Sequence, residues 1–168
     1  MPHSNNIAAI ANREDLDAQA CLSDAVAAWR AAGIKVVGVL AENNRGESVC
    51  SAGFLRDVVS GKAFSIQLET PPADTICHLD AAGLEDAGAN LLGQIPAADI
   101  VVVSKFGKLE AMEGGLWPVF QAAIAAGKPL LTTVSVKHHE AWHAFAPTAT
   151  WLTGDQASIA QWWRTVNG

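Results

Sequence analysis

Apolar and polar positions recur along this chain with two different periods, and each change of period marks an element. Ile7 to Ala11, Lys35 to Ala41, Ile100 to Val103 and Pro129 to Val134 are short apolar runs with almost no polar face. Runs of this kind, rich in β-branched residues, predict strands buried on both sides of a parallel sheet. Between them the spacing turns helical. Asp15 or Asp17 can cap a helix that runs to Ala32 and stops at Gly33, with Val26, Trp29 and Ile34 facing the sheet. Further helices are predicted from Asp80 to about Gln94, stopped by Pro96, from about Leu116 to Ala126, from Val136 to Phe145 and from Gln156 to Val166. Thr148 to Leu152 suits a short edge strand.

One segment departs from this alternation. Val49 to Val59 and Ala63 to Leu68 read as two strands joined at Ser60-Gly61-Lys62, a β-hairpin inserted into a βαβ pattern. Thr70 to Asp74 contains Pro71-Pro72 and is predicted to be a loop. The fold class expected is therefore α/β, with a mostly parallel sheet and an inserted hairpin, in one domain over residues 1–168.

The stretch from Ala98 to Glu110 organises the rest. Its strand is predicted to stop at Ser104, a turn Lys105-Phe106-Gly107-Lys108 follows, and helical spacing resumes near Gly114. Ligands of open α/β sheets bind just beyond the carboxyl ends of the strands. Lys105 and Lys108 would supply charge there, Gly107 close backbone approach and Ser104 a hydroxyl, with Asn12 and Arg13 as a second wall. Glu110 is the one candidate general base, with Lys105 on a phosphate, if the chain is an enzyme.

Composition narrows the partners. Half of the residues are hydrophobic and only 17% are charged, which argues against disorder. With no run as long as a membrane span and no signal-like N-terminus, a soluble cytoplasmic protein is expected. A net charge of -6 argues against nucleic acid or an anionic membrane as partner. Cys21, Cys50 and Cys77 lack CxxC spacing and read as reduced, mostly buried thiols. Arg13, Arg45, Lys105, Lys108 and Lys137 fall just past predicted strand ends, but so do Glu14, Asp15, Asp17, Glu42, Glu110, Glu113 and Glu140. The rim is thus mixed, and its charges can equally pair with one another.

Two motifs are informative by what they lack. A phosphate-binding P-loop needs glycines, a Lys and a Ser or Thr after the first strand. Asn12 to Gln19 holds none of these and carries Glu14, Asp15 and Asp17, which suit a helix N-terminus but would repel a triphosphate. Hydrolysis by the P-loop route is not expected. His139-Glu140-Ala141-Trp142-His143 matches H-E-x-x-H, yet downstream only Asp155 could be a third ligand. His139 and His143 are the candidate zinc ligands, read more simply as an adventitious surface metal contact, and Trp142 and Phe145 as packing residues.

VVGVLAENN, CSAGFLRDVVSGKAFSI, CHLDAAGLEDA, ADIVVVSKFGKLEAMEGGL and AAIAAGKPLLTTVSVKHHEAWHAF, in this order, resemble a DUF2478-like bacterial family of unknown function. Members of that family are often encoded beside molybdate-transport genes. The KFGKLE turn and the tetrad Cys77 to Asp80 are the most specific pieces. More distantly, the order of elements is similar to the small P-loop nucleoside triphosphatases of thermophiles. Gly53-Phe54 matches their hairpin, and Ser104 to Glu110 matches their D-E-I-G-K-x-E turn, with Ser104 and Lys105 in place of its two acids. The resemblance implies a three-layer α/β/α, P-loop-like fold with a degenerate Walker A segment. It also suggests a small anion, molybdate or tungstate, as ligand of a non-hydrolytic binding or regulatory protein. Two other classes stand beside it: an enzyme acting on a nucleotide or phosphorylated metabolite, and an interaction module that uses the rim and six tryptophans to bind a partner or a second copy of itself.

Overall fold

Strands whose side chains are apolar on both sides need cover on both sides, and the chain supplies it with two layers of helices. The computed structural model describes residues 6–12, 18–43, 52–65, 81–106 and 108–167. Its strands are β1 (Ile7–Asn12), β2 (Val36–Asn43), β3 (Ala52–Asp57), β4 (Ala63–Ser65), β5 (Ile100–Phe106), β6 (Leu130–Ser135) and β7 (Thr150–Leu152). Its helices are α1 (Ala18–Ala31), α2 (Ala81–Leu92), α3 (Lys108–Ala111), α4 (Trp117–Ala125), α5 (His139–Phe145) and α6 (Gln156–Asn167). The strands form one sheet in the order β4-β3-β2-β5-β6-β1-β7. The five strands from β2 to β7 in that order run parallel, while β3 and β4 pair antiparallel at one edge.

The inserted hairpin is therefore present, and it sits at the sheet edge. Two cores flank the sheet. Val101 and Val103 of β5 pack with α2, α4 and α5 on one face; Ile100 and Val102 pack with α1 and α6 on the other. All four are fully buried, which is why the run carries no polar alternation. Each such side chain contributes about 1.5–3 kcal/mol by leaving water. Val26 and Trp29 are buried as the helical spacing required, and Trp29 lies 5.4 Å from Trp163 of α6, centroid to centroid. Among the described residues no helix is long and apolar enough to cross a membrane. The cap expected from Asp15 or Asp17, the Pro71-Pro72 loop, Cys50 and Cys77 lie outside the described residues.

Two details fix which strands are neighbours, one polar at the hairpin edge and one steric inside the sheet. β3 ends at Asp57, two residues short of the apolar run, because the Asp57 carboxylate turns the chain there. Its Oδ2 accepts the Ser60 backbone N–H (2.7 Å) and hydroxyl (2.8 Å), and its Oδ1 accepts Asn90 Nδ2 (3.0 Å) and Gln94 Nε2 (3.1 Å). A fully buried carboxylate is tolerable only when so many donors satisfy it. The hairpin is thereby fastened to α2. The second detail is Gly38, where β2 passes β5 so closely that a Cβ would lie 1.8 Å from the Val102 carbonyl oxygen, with φ at +151°.

Both details give stability predictions. Gly38→Ala forces backbone against backbone and should cost about 3 kcal/mol or more, the upper end of overpacking. A lowered urea midpoint with an unchanged slope is the expected record. Asp57→Ala strands four donors and should cost about 3 kcal/mol by the same measurement, with Asp57→Asn losing less because one carbonyl oxygen remains.

Candidate functional site

The connections of the sheet decide where a crevice opens. From β1 the chain leaves to α1 on the face of Ala18 and Leu22, whereas from β6 it leaves to α5 on the opposite face, where Trp142 is buried. β1 and β6 are neighbours in the sheet. Their carboxyl ends, Asn12 and Ser135, pair in register, so the strands part company at this point. Open α/β sheets bind ligands at such a switch point. β5 borders β6 on its other side, which brings the ends of β5, β6 and β1 into one row.

The end of β5 corrects the expectation from sequence. The strand does not stop at Ser104; it runs on through Lys105 to Phe106. Against β6, Val103 pairs with Thr132 and Phe106 with Val134, so β5 spends three steps where β6 spends two. This is a β-bulge over Ser104 and Lys105. One extra residue resets the alternation, and Phe106 emerges on the same face as Val103. There it meets Trp117, Phe120, Trp142 and Phe145 with centroids 5.2–6.4 Å away and is fully buried. The Thr132 hydroxyl donates to the Val103 carbonyl (2.5 Å) beside the bulge. Helix α3 then starts at Lys108, earlier than the spacing near Gly114 suggested.

Ser104 is buried inside the strand, 2% exposed, and is not a rim hydroxyl. The backbone of Lys105 lies in the bulge and that of Lys108 opens α3. Asn12 ends β1, one strand beyond β6. At about 4.8 Å per strand, the wall expected from Asn12 and the wall expected from Lys105 are about 10 Å apart, with Ser135 between them. Arg13 and Gly107 lie outside the described residues. Glu110 is buried, 4% exposed, and its Oε2 accepts the Leu116 N–H (2.8 Å), which fixes the start of α4 after the left-handed Glu113 (φ +62°). That bond gives it structural work, whatever else it does.

The row of strand ends contains two hydroxyls that the sequence reading passed over, followed by a lysine that it placed at the rim. Thr133 and Ser135 share one face of β6, and exposed Lys137 follows in the 3-10 turn Val136–His138. The signal was present: three hydroxyls in the six residues of an otherwise buried strand.

The H-E-x-x-H stretch forms α5. His139 is half-buried against Trp151 of β7, centroids 4.5 Å apart, while His143 is exposed. Trp142 is buried and Phe145 packs beside it, as packing residues do. Asp155 is the cap of α6: its Oδ1 accepts the Ser158 N–H (2.6 Å) and its Oδ2 the Thr153 hydroxyl (2.6 Å). The Thr153 hydroxyl, and after it the Ser158 N–H, hold its carboxyl below the usual range. Its contribution to the fold is present above that range and fades as pH falls through the lowered value. Among the described residues no three His, Cys, Asp or Glu side chains gather as a metal cage requires.

Comparison with known proteins fits this arrangement. The chain is 36% identical over 166 residues to the molybdenum import ATP-binding protein ModC 2 of Bradyrhizobium diazoefficiens. The match takes in 97% of this chain but 18% of that protein, so the chain spans under a fifth of its curated relative's length. No solved structure matches. The sheet order, the helical layers and this similarity identify a three-layer, P-loop-like α/β/α fold. The model of a family described as a protein of unknown function, DUF2478, matches residues 7–162, and the chain belongs to that family.

Proposed function

We propose that this protein is a non-hydrolytic small-anion-binding or regulatory domain, that its ligand is the tetrahedral oxyanion molybdate or tungstate, and that it serves ATP-driven molybdenum import. One contrast carries the reading. Nearly the whole chain is similar to a segment of a protein named for molybdenum import and ATP binding, yet the turn after its first strand has no Gly, Lys, Ser or Thr between Asn12 and Gln19. The residues with which a P-loop holds a nucleotide are thus missing from that turn, while the strand ends remain the place where such folds bind ligands.

A small dianion needs convergent N–H, O–H and ammonium donors. Lys105 and Lys108, on either side of Gly107 in the chain, would supply charge, with Asn12 and the following Arg13 as a second wall. The acids of the rim disfavour a polyphosphate and leave room for a compact anion. In a relative that carries the matching segment within a much longer chain, such a domain would report oxyanion supply to the machinery beside it.

Two measurements test this. Molybdate and tungstate should raise the melting temperature, and calorimetric titration should give a saturable site. Lys105→Ala and Lys108→Ala should each weaken that binding by about 1–3 kcal/mol while leaving stability nearly unchanged. A flat response to every oxyanion, or mutants that unfold with unaltered binding, overturns the reading. Separately, ATP and GTP with Mg²⁺ should show no phosphate release above background. Steady turnover abolished by Lys105→Ala would establish an enzyme acting on nucleotides instead.

A further inference from the structure

Strand β6 carries two adjacent threonines whose hydroxyls fare differently. Thr132 Oγ1 is satisfied by the Val103 carbonyl, whereas Thr133 Oγ1 has no hydrogen-bond partner although Thr133 is fully buried. An unpartnered buried hydroxyl costs free energy that a valine of nearly the same shape would avoid. Such a group calls for an explanation beyond packing.

Its position gives one. Thr133 pairs in register with Ile10 of β1, and Ile10 and Leu131 on the same side pack beneath α1 in the core formed with Ala18 and Leu22. One pleat further along that face stands half-buried Ser135, in register with Asn12. The two hydroxyls therefore form a ladder on the strand that borders the switch point, ending at the rim. Lys137 follows two residues later and is exposed. It adds a cation where β6 turns away from β1.

We infer that β6 supplies the hydroxyl contacts of the anion site: Ser135 donates to an oxyanion seated between the ends of β1 and β6, Thr133 donates to its inner oxygen, and Lys137 balances its charge. The site takes a compact tetrahedral oxyanion, because two hydroxyls on one strand face and one ammonium match several oxygens spread around a single centre and leave no donors for a longer polyphosphate. This rests on the oxyanion reading above and moves its centre from the β5 turn to the strand beside it.

The experiment uses the full chain and sodium molybdate, sodium tungstate and sodium phosphate as probes, with titration calorimetry and thermal melting on the same samples. Thr133→Val and Ser135→Ala should each weaken molybdate or tungstate binding at least tenfold. Thr133→Val should at the same time leave the melting temperature of the free protein unchanged or higher, since it removes an unsatisfied hydroxyl. Lys137→Ala should weaken binding and steepen no melting curve. If wild type binds oxyanion and only the Lys105 and Lys108 variants lose it, the ladder on β6 is wrong while the oxyanion reading stands. If Thr133→Val lowers the melting temperature and spares binding, the hydroxyl serves the fold, for instance through a buried water, and the inference falls. If wild type binds none of the three anions, both readings fall together.

Discussion

Burial of Phe106 at the end of β5 is the constraint from which the rest of the candidate site follows. Its ring fills the space between α4 and α5, where Trp117, Phe120, Trp142 and Phe145 surround it. An aromatic ring surrounded by four others is both a large apolar burial and a directional one, since edge-to-face contacts at Phe120 and Trp142 fix its orientation. To reach that pocket the strand must gain one residue, and the bulge over Ser104 and Lys105 is the result. The residue that follows the bulge is consequently held in the core by its side chain.

Specific contacts also fix the hairpin edge and the β2–β5 pairing inside the sheet. At the hairpin edge a buried carboxylate, Asp57, binds turn and helix α2 together, and at Gly38 two backbones touch without a side chain between them. These are polar and steric devices in a core otherwise held by nonspecific burial. They fix which strand lies beside which, while the amount of apolar surface fixes only that the sheet is covered. With β2 and β5 locked, β6 and β1 follow in register, and the place where their connections separate to opposite faces is determined.

Charged residues of both signs follow the strand ends in the sequence. After β6, Lys137 is exposed; of the carboxylates, Glu110 is buried and bonded, while Glu113 and Glu140 are exposed. Nearly the whole chain is similar to part of a molybdenum import ATP-binding protein. The P-loop-like architecture carries no Gly, Lys, Ser or Thr between Asn12 and Gln19, and the fold by itself does not supply the function.

By itself the sequence determined the architecture. Ile100 to Val103 without a polar position requires cover on both faces, helical spacing between such runs requires parallel crossovers, and Ser60-Gly61-Lys62 between two apolar runs requires a hairpin; each is local, and each is found. It also read Trp142 as a packing residue, and Trp142 is buried; that Asp155, the one downstream candidate for the H-E-x-x-H stretch, caps α6 is seen only in the structure. Tertiary structure alone decided the rest. The parity of β5 beyond Val103 depends on a pocket built by α4 and α5, far along the chain, so Ser104 could be read as rim when it is interior. Glu110 was legible as an acid but not as the partner of the Leu116 N–H. The neighbourhood of β1 and β6, which brings Asn12 beside Ser135 across more than a hundred residues, is set by sheet order, and pairing between such distant segments leaves no local period in the sequence.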